Sequence, residues 1–236
     1  MKAVILAGGK GTRLKPYTTS FPKPLMPVGD RPIIEIVIGQ LAEGGFDDIT
    51  IAVGHLAELI TTFLGDGSKH GVSIKYHREE KPMGTAGPLR DMRRELDDTF
   101  LLMNGDVLSD IDLKKLVRWH KKKGAMATVV LARRKQNVDY GTVEIDRSGR
   151  ICGWVEKPDL DLLVSTGIYV LEPEALKFIP SRRKFDFPDL VKALMAAKKP
   201  VHGYVHEGYW LDIGRPDDYQ KACDDVASLL GDGGRA

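Results

Sequence analysis

The chain has few cysteines, no long apolar run, no internal repeat and almost no net charge, and each shortage removes a class of protein. Two cysteines in 236 residues, Cys152 and Cys223, point away from a disulfide-stapled scaffold and offer no paired metal-binding spacing. Both read as reduced thiols of a cytoplasmic protein. A balance of 35 basic against 33 acidic residues leaves a net charge of +2, without the basic excess of a dedicated nucleic-acid binder. The apolar stretch from Ala3 to Ala7 is too short for a signal sequence and runs into glycines. No stretch approaches the ~20 apolar residues of a membrane span. A soluble, intracellular protein is expected, with neither nucleic acid nor membrane as partner. The absent hexapeptide repeat argues against a β-helix domain.

What is present is the composition of a soluble enzyme, 42% hydrophobic and 29% charged, at a length suited to one large α/β domain. Short apolar runs recur at Ala3–Leu6, Ile49–Val53, Val72–Tyr76, Phe100–Met103 and Ala127–Leu131. Helical periodicity fills the gaps at 33–42, 55–64, 86–96 and 113–122, the last capped by Asp110 or Asp112 and closed by Lys121–Lys123. Strands alternating with helices predict a mainly parallel, Rossmann-like sheet flanked by helices. After Arg134 the pattern changes. Thr142–Ile145 and Ile151–Val155 flank the turn cluster Asp146-Arg147-Ser148-Gly149 and read as a hairpin, followed by a strand over 163–171. A helix over 189–197, short strands near 201–205 and 209–213, a helix over 217–230 and a frayed tail over 231–236 complete the expectation. The chain is expected to be one domain over 1–236, with a nucleotide-binding part (1–134), a small antiparallel sugar-binding part (135–214) and a C-terminal helix with its tail (215–236).

Gly8-Gly9-Lys10-Gly11-Thr12-Arg13 follows the first strand, where an open α/β sheet binds ligands. Glycines let the backbone approach and turn N–H groups toward phosphate oxygens, and Lys10 and Arg13 add positive charge. A Walker A loop needs Gly-Lys-Ser/Thr, which does not occur here, and the dinucleotide fingerprint needs a third glycine where Leu14 stands. The next segment, Phe21-Pro22-Lys23-Pro24-Leu25-Met26-Pro27, brackets a lysine with prolines. It is expected to be a stiff, extended arm carrying a point charge toward a phosphate. Asp106, in Asn104-Gly105-Asp106 at a strand's carboxyl end, is placed to hold a metal. Asp212, in Trp210-Leu211-Asp212-Ile213-Gly214, is a second carboxylate whose proximity the sequence alone does not fix.

The block from Leu6 to Pro27, L-A-G-G-K-G-T-R-L-K-P-Y-T…P-K-P-L-M-P, resembles the signature of the sugar-1-phosphate nucleotidyltransferases, and further matches run over nearly the whole chain. The resemblance implies that Leu6, Ala7, Gly8, Gly9, Gly11, Thr12, Arg13 and Lys23 bind a nucleoside triphosphate, with Arg13 and Lys23 catalytic. It implies that Asp106 and Asp212 hold Mg²⁺. Glu156-Lys157-Pro158, Gly141 and Ser165-Thr166-Gly167 match the sugar-side motifs, so Asn104, Gly141, Glu156, Lys157, Thr166 and Gly167 are expected at the sugar 1-phosphate. Two departures are Val107, where many relatives carry asparagine or threonine, and Ser165, where asparagine is usual. Gly84-Thr85-Ala86-Gly87, within Glu80–Gly87, fills the base-reading position. It looks more like the form in mannose- and heptose-1-phosphate guanylyltransferases than that of thymidylyl or uridylyl enzymes.

The implied reaction is in-line attack of a sugar-phosphate oxygen on the α-phosphorus, with pyrophosphate leaving. It depends on positioning and charge and not on a protein nucleophile. The implied partners are a nucleoside triphosphate and a sugar 1-phosphate, with a homo-oligomer allowed. Competing readings are a non-catalytic nucleotide-sugar-binding regulator of the same fold and transfer of another base or to another phosphate. An NAD-dependent oxidoreductase is disfavoured by the missing third glycine.

Overall fold

The computed structural model describes residues 1–79, 81–181 and 183–229, with side chains to residue 225. The expected tail over 231–236 and Glu80 of the base-side motif lie outside the described residues.

In chain order the elements are β1 (Lys2–Ala7), β2 (Pro27–Val28), β3 (Arg31–Pro32), α1 (Ile33–Glu43), β4 (Asp48–Val53), α2 (Ala57–Leu64), β5 (Ser73–Arg78), α3 (Gly87–Asp91), β6 (Phe100–Asn104) and β7 (Val107–Ser109). They continue with α4 (Leu113–Lys123), β8 (Ala127–Asn137), β9 (Thr142–Ile145), β10 (Ile151–Val155), β11 (Asp159–Leu171), α5 (Phe187–Ala196), β12 (Val201–His206), β13 (Trp210–Asp212) and α6 (Pro216–Leu229).

Seven strands form one sheet in the order β12-β8-β11-β6-β1-β4-β5. All run parallel except β11, which is antiparallel to both β6 and β8. Alternation along β1 explains the layers. Ala3, Ile5 and Ala7 join the core under α1, α2 and α4, while Val4 joins the core under α3 and α5. A strand buried on both faces must be apolar throughout, which is why β1 and β6 read as uninterrupted runs.

Helix α4 shows the local rules at work. Leu113, Leu116, Val117 and His120 are buried on one face. Asp112, not Asp110, caps the helix by accepting from the Lys115 amide at 2.8 Å. Gly124 ends it in the left-handed region at φ 57°, with Lys121–Lys123 in the last turn.

Three expectations are corrected. The helix over 86–96 is hydrogen-bonded as α only over Gly87–Asp91, and turns at Met92 carry the chain onward. The strand before Leu171 begins at Asp159. The proline-bracketed arm is not extended at its lysine: Lys23–Leu25 forms a 3-10 turn, with the Leu25 and Met26 amides donating to the Pro22 and Lys23 carbonyls. Proline's fixed φ forbids a helix interior but suits a single tight turn.

Candidate active site

The carboxyl ends of β1, β4, β5 and β6 open into one cleft of about 700 Å³, a volume within the range of small-ligand sites. Leu6, Ala7, Gly8, Gly9, Lys10, Gly11, Thr12 and Arg13 form one wall. Gly11 turns the loop at φ 59°, and its carbonyl accepts from the Thr18 hydroxyl at 2.7 Å and the Leu14 amide at 2.9 Å. These bonds fold the loop back so that Thr12–Leu14 forms a 3-10 turn and Arg13 reaches the cleft. Nothing lies within 4 Å of where a Cβ on Gly9 would point.

The floor is charged. The Gly105 amide donates to the Leu6 carbonyl at 2.9 Å, which sets Asp106 beside β1. β13 pairs antiparallel with β7, placing Asp212 opposite Val107, and the Ile213 amide donates to the Asp106 carbonyl at 3.0 Å. The two carboxylates, 106 residues apart in sequence, thus meet. Burial raises the Asp212 pKa, the negative Asp106 raises it further, and Lys23 and Arg13 partly offset both. Lys23 is almost fully buried and ion-paired to Asp106 Oδ2. A Cβ on Gly214 would lie 3.2 Å from the Arg13 guanidinium, so the glycine makes room for that side chain.

Among the described residues no group of three or more His, Cys, Asp or Glu is arranged so that it could hold a metal ion. Two neighbouring carboxylates, one of them held above its ordinary pKa by burial and then by the other's charge, are nonetheless a donor set that fits Mg²⁺. That ion takes one or two carboxylates and completes its shell with phosphate and water oxygens.

The sugar-side residues are distributed differently. Asn104 lines the cleft and packs against Gly167, whose φ is 80° and where a Cβ would fall 2.6 Å from Asn104 Nδ2. Thr166 is turned into the fold: its hydroxyl donates to the Val130 carbonyl at 3.0 Å, and its own carbonyl accepts from the Trp210 indole at 2.9 Å. Neither Thr166 nor Gly167 lines the cleft. Gly141 and Glu156 come together on the β9–β10 hairpin, where a Cβ on Gly141 would lie 2.9 Å from Glu156 Oε2. Glu156 accepts from the Trp154 indole at 3.2 Å. Lys157 follows at φ 44° and is exposed. None of Gly141, Glu156 and Lys157 lines the cleft.

On the base side, Gly84 and Thr85 line the cleft, while Ala86 and Gly87 are buried behind them. Sequence reasoning missed Gly54, His55, Glu79, Lys184 and Asp186, all of which line it. Gly54 follows β4 just as Gly8 follows β1, and a Cβ there would lie 2.9 Å from the Gly8 carbonyl. The position of Gly54 at a strand's carboxyl end was the available signal. Glu79 follows β5 in the same way. Its Oε2 accepts from the Met83 amide at 2.9 Å, and its Oε1 occupies the space a Cβ on Gly8 would need. Burial raises the Glu79 pKa, moderated by the Met83 amide and by His77.

A family profile described as nucleotidyl transferase matches residues 2–228. The chain belongs to that family. It is 38% identical to a UTP–glucose-1-phosphate uridylyltransferase of Synechocystis, over 97% of this chain and 64% of that protein. It is 37% identical to a mannose-1-phosphate guanyltransferase of Candida albicans, over 93% of this chain and 62% of that protein. The chain therefore spans less than two thirds of the length of these curated relatives. Among solved structures it is similar to a putative glucose-1-phosphate thymidylyltransferase from Bacillus anthracis, with a TM-score of 0.79 and 28% identity, covering 100% of this chain and 97% of that one. HddC from Yersinia pseudotuberculosis complexed with GMP-PN superposes with a TM-score of 0.75 at 25% identity, covering 95% and 99% of the two chains.

Proposed function

We propose that the protein transfers a nucleoside monophosphate from a nucleoside triphosphate to a sugar 1-phosphate, releasing pyrophosphate, and that guanine is the preferred base with a manno-configured sugar. The convergence of Arg13, Lys23 and Asp106 on one glycine-walled cleft, with Asp212 close enough to feel the charge of all three, carries this reading. A phosphate oxygen arrives already ionised, so the site needs no general base. What it needs is charge placed around the α-phosphorus and the leaving pyrophosphate. The loop amides and Arg13 bind the triphosphate, and Lys23, exchanging Asp106 for a phosphate oxygen, neutralises developing charge. Asp106 and Asp212 would hold Mg²⁺, which supplies Lewis-acid neutralisation of the phosphates when bound. Lys157, on its exposed turn beside Glu156, meets the sugar phosphate while Glu156 accepts from sugar hydroxyls.

The guanine preference rests on Glu79. Guanine presents two adjacent donors, N1–H and N2–H₂, on its pairing edge, and Glu79 can meet them with Oε1 and with the lone pair of Oε2 that the Met83 amide leaves. Uracil and thymine present a single donor between two carbonyls, which would face the carboxylate unfavourably. The similarity to mannose-1-phosphate guanyltransferases supports the same choice, while the uridylyl and thymidylyl relatives oppose it.

The test is pyrophosphate release by purified protein with Mg²⁺, each nucleoside triphosphate and a panel of sugar 1-phosphates. GTP with mannose 1-phosphate is expected to give the strongest signal, and Lys23→Ala or Asp106→Ala to lower turnover by about 10²- to 10³-fold. A signal confined to UTP or dTTP would overturn the base assignment. Silence from folded protein across the panel would overturn the transferase reading.

A further inference from the structure

Two segments distant in sequence are tied together at the base side of the cleft. The turn Gly84–Thr85 lines the cavity, and its hydrogen-bonding groups are engaged from behind. The Thr85 amide donates to Asp186 Oδ1 at 3.0 Å, and the Phe187 amide donates to the Thr85 hydroxyl oxygen at 2.7 Å. The Ala86 and Gly87 amides both donate to the Phe185 carbonyl at 3.0 Å, while the Phe185 amide donates to the Met83 carbonyl at 2.8 Å. The fit leaves no slack. Gly84 sits at φ 83°, and a Cβ there would lie 2.6 Å from both Asp186 Oδ1 and the Phe185 carbonyl oxygen.

This arrangement changes what the turn can do. With the amides of Thr85, Ala86 and Gly87 committed to the strap 183–187, they are not free to pair with a base edge. The turn acts on a nucleotide through its shape, and its shape is held by the strap. A recognition surface fixed before the ligand arrives avoids the ordering cost of binding. The strap is itself anchored, because it leads directly into α5. Asp186 and Asp189 form the reciprocal cap of that helix, the Asp186 amide donating to Asp189 Oδ2 at 3.2 Å.

We infer that the strap 183–187 is a positioning element for the nucleotide, with Asp186 as its principal contact, so that base affinity and the discrimination made at Glu79 depend also on the chain's second half. The inference rests on the nucleotide reading of the cleft given above. Asp186 touches the cleft wall, but its effect runs through Thr85, which makes it a positioning residue and not a catalytic one.

The experiment is calorimetric titration of each nucleoside triphosphate into wild-type protein, Asp186→Ala, Asp186→Asn and Asp189→Ala, with steady-state kinetics alongside. A hydrogen bond to a charged group is worth about tenfold to a hundredfold in an equilibrium constant. Asp186→Ala is expected to weaken the preferred nucleotide by about tenfold or more and to shrink its advantage over the next base. The change should fall on the nucleotide KM, with kcat at saturation little altered. Asp186→Asn keeps an acceptor oxygen for the Thr85 amide and is expected to recover most of the affinity. Asp189→Ala loses its arm of the helix cap but keeps every contact to the turn, and is expected to bind as wild type. Should Asp186→Ala fail to fold, Thr85→Val, which removes the acceptor for Phe187, replaces it with the same expected direction. Wild-type affinity and base ratio in Asp186→Ala, or equal losses in Asp189→Ala, would overturn the inference. A wild-type protein that binds no nucleotide would instead bring down the nucleotide reading, and the inference with it.

Discussion

At the scale of single residues, the glycines of the first loop divide by what they must avoid. Gly11 holds a left-handed backbone, and a Cβ there would meet Thr18 Cγ2 at 2.9 Å. Gly9 has open space before it. Gly11→Ala is therefore expected to cost about 1–2 kcal/mol of stability from backbone strain alone, measured by denaturant unfolding. Gly9→Ala is expected to unfold within about 0.5 kcal/mol of wild type. The same change should nonetheless weaken triphosphate binding by tenfold or more in a titration, because its methyl group enters the space a phosphate needs. Normal binding by Gly9→Ala would remove this loop from the phosphate site. The loop was legible in the sequence because its chemistry is local: glycine, position after a strand, adjacent cations. Asp212 was legible only through resemblance. A carboxylate on a three-residue strand acquires a role from β7 and β13 pairing, which no window of sequence displays.

At the scale of elements, α4 packs a buried polar group against the sheet. His120 Nδ1 lies 2.7 Å from the Thr128 hydroxyl, and its Nε2 lies 3.0 Å from Glu172, which also accepts from Thr99 at 2.8 Å. Burial lowers the His120 pKa, Glu172 opposes this, and Lys121 and His202 add to the lowering. A histidine whose folded pKa is depressed stabilises the fold above its unfolded value, about 6.5, and that stability is lost as pH falls through the lower folded value. Melting temperature is expected to drop as pH falls below neutrality, and His120→Gln should flatten the dependence in that window. An unchanged pH slope in the variant would show that other groups carry it. The apolar spacing over 86–96 predicted a continuous helix. Ala86, Leu89, Met92 and Leu96 are all buried, so the periodicity reported burial correctly. Turns at Met92 meet the same burial demand without a continuous helix, and spacing cannot distinguish the two.

At the scale of the whole molecule, burial is uneven. β1, β4 and β6 are covered on both faces, while every residue of β9 is exposed and Ile145, Ile151 and Trp154 in the hairpin are each more than 60% exposed. A two-stranded ribbon with little packing is marginal on its own, and local opening follows such differences. Amide exchange is expected to be fast over 142–155 and slowest over β1 and β6. Addition of sugar 1-phosphate with a nonreactive triphosphate analogue should protect the hairpin, since Glu156 and Lys157 end it. Protection confined to the cleft loops would detach the hairpin from the substrate. The alternating sheet was readable from the order of apolar runs. The reversal of β11 was not, because strand direction is fixed by which neighbours complete the cores and leaves no mark in a strand's own composition.

The contacts that close the site join residues far apart in the chain: Lys23 with Asp106, Thr85 with Asp186, and Asp106 with Ile213. Such pairings form late, since the intervening chain must be gathered first. During synthesis the glycine loop emerges from the ribosome long before the strap and the second carboxylate that complete its surroundings. A chain made only that far would thus carry the glycine loop without the strap and the carboxylate proposed here to position a base and hold a metal. On the proposed reading, nucleotide binding should appear only once the chain has grown past Asp212, so that a product truncated before it competes poorly for cellular triphosphate.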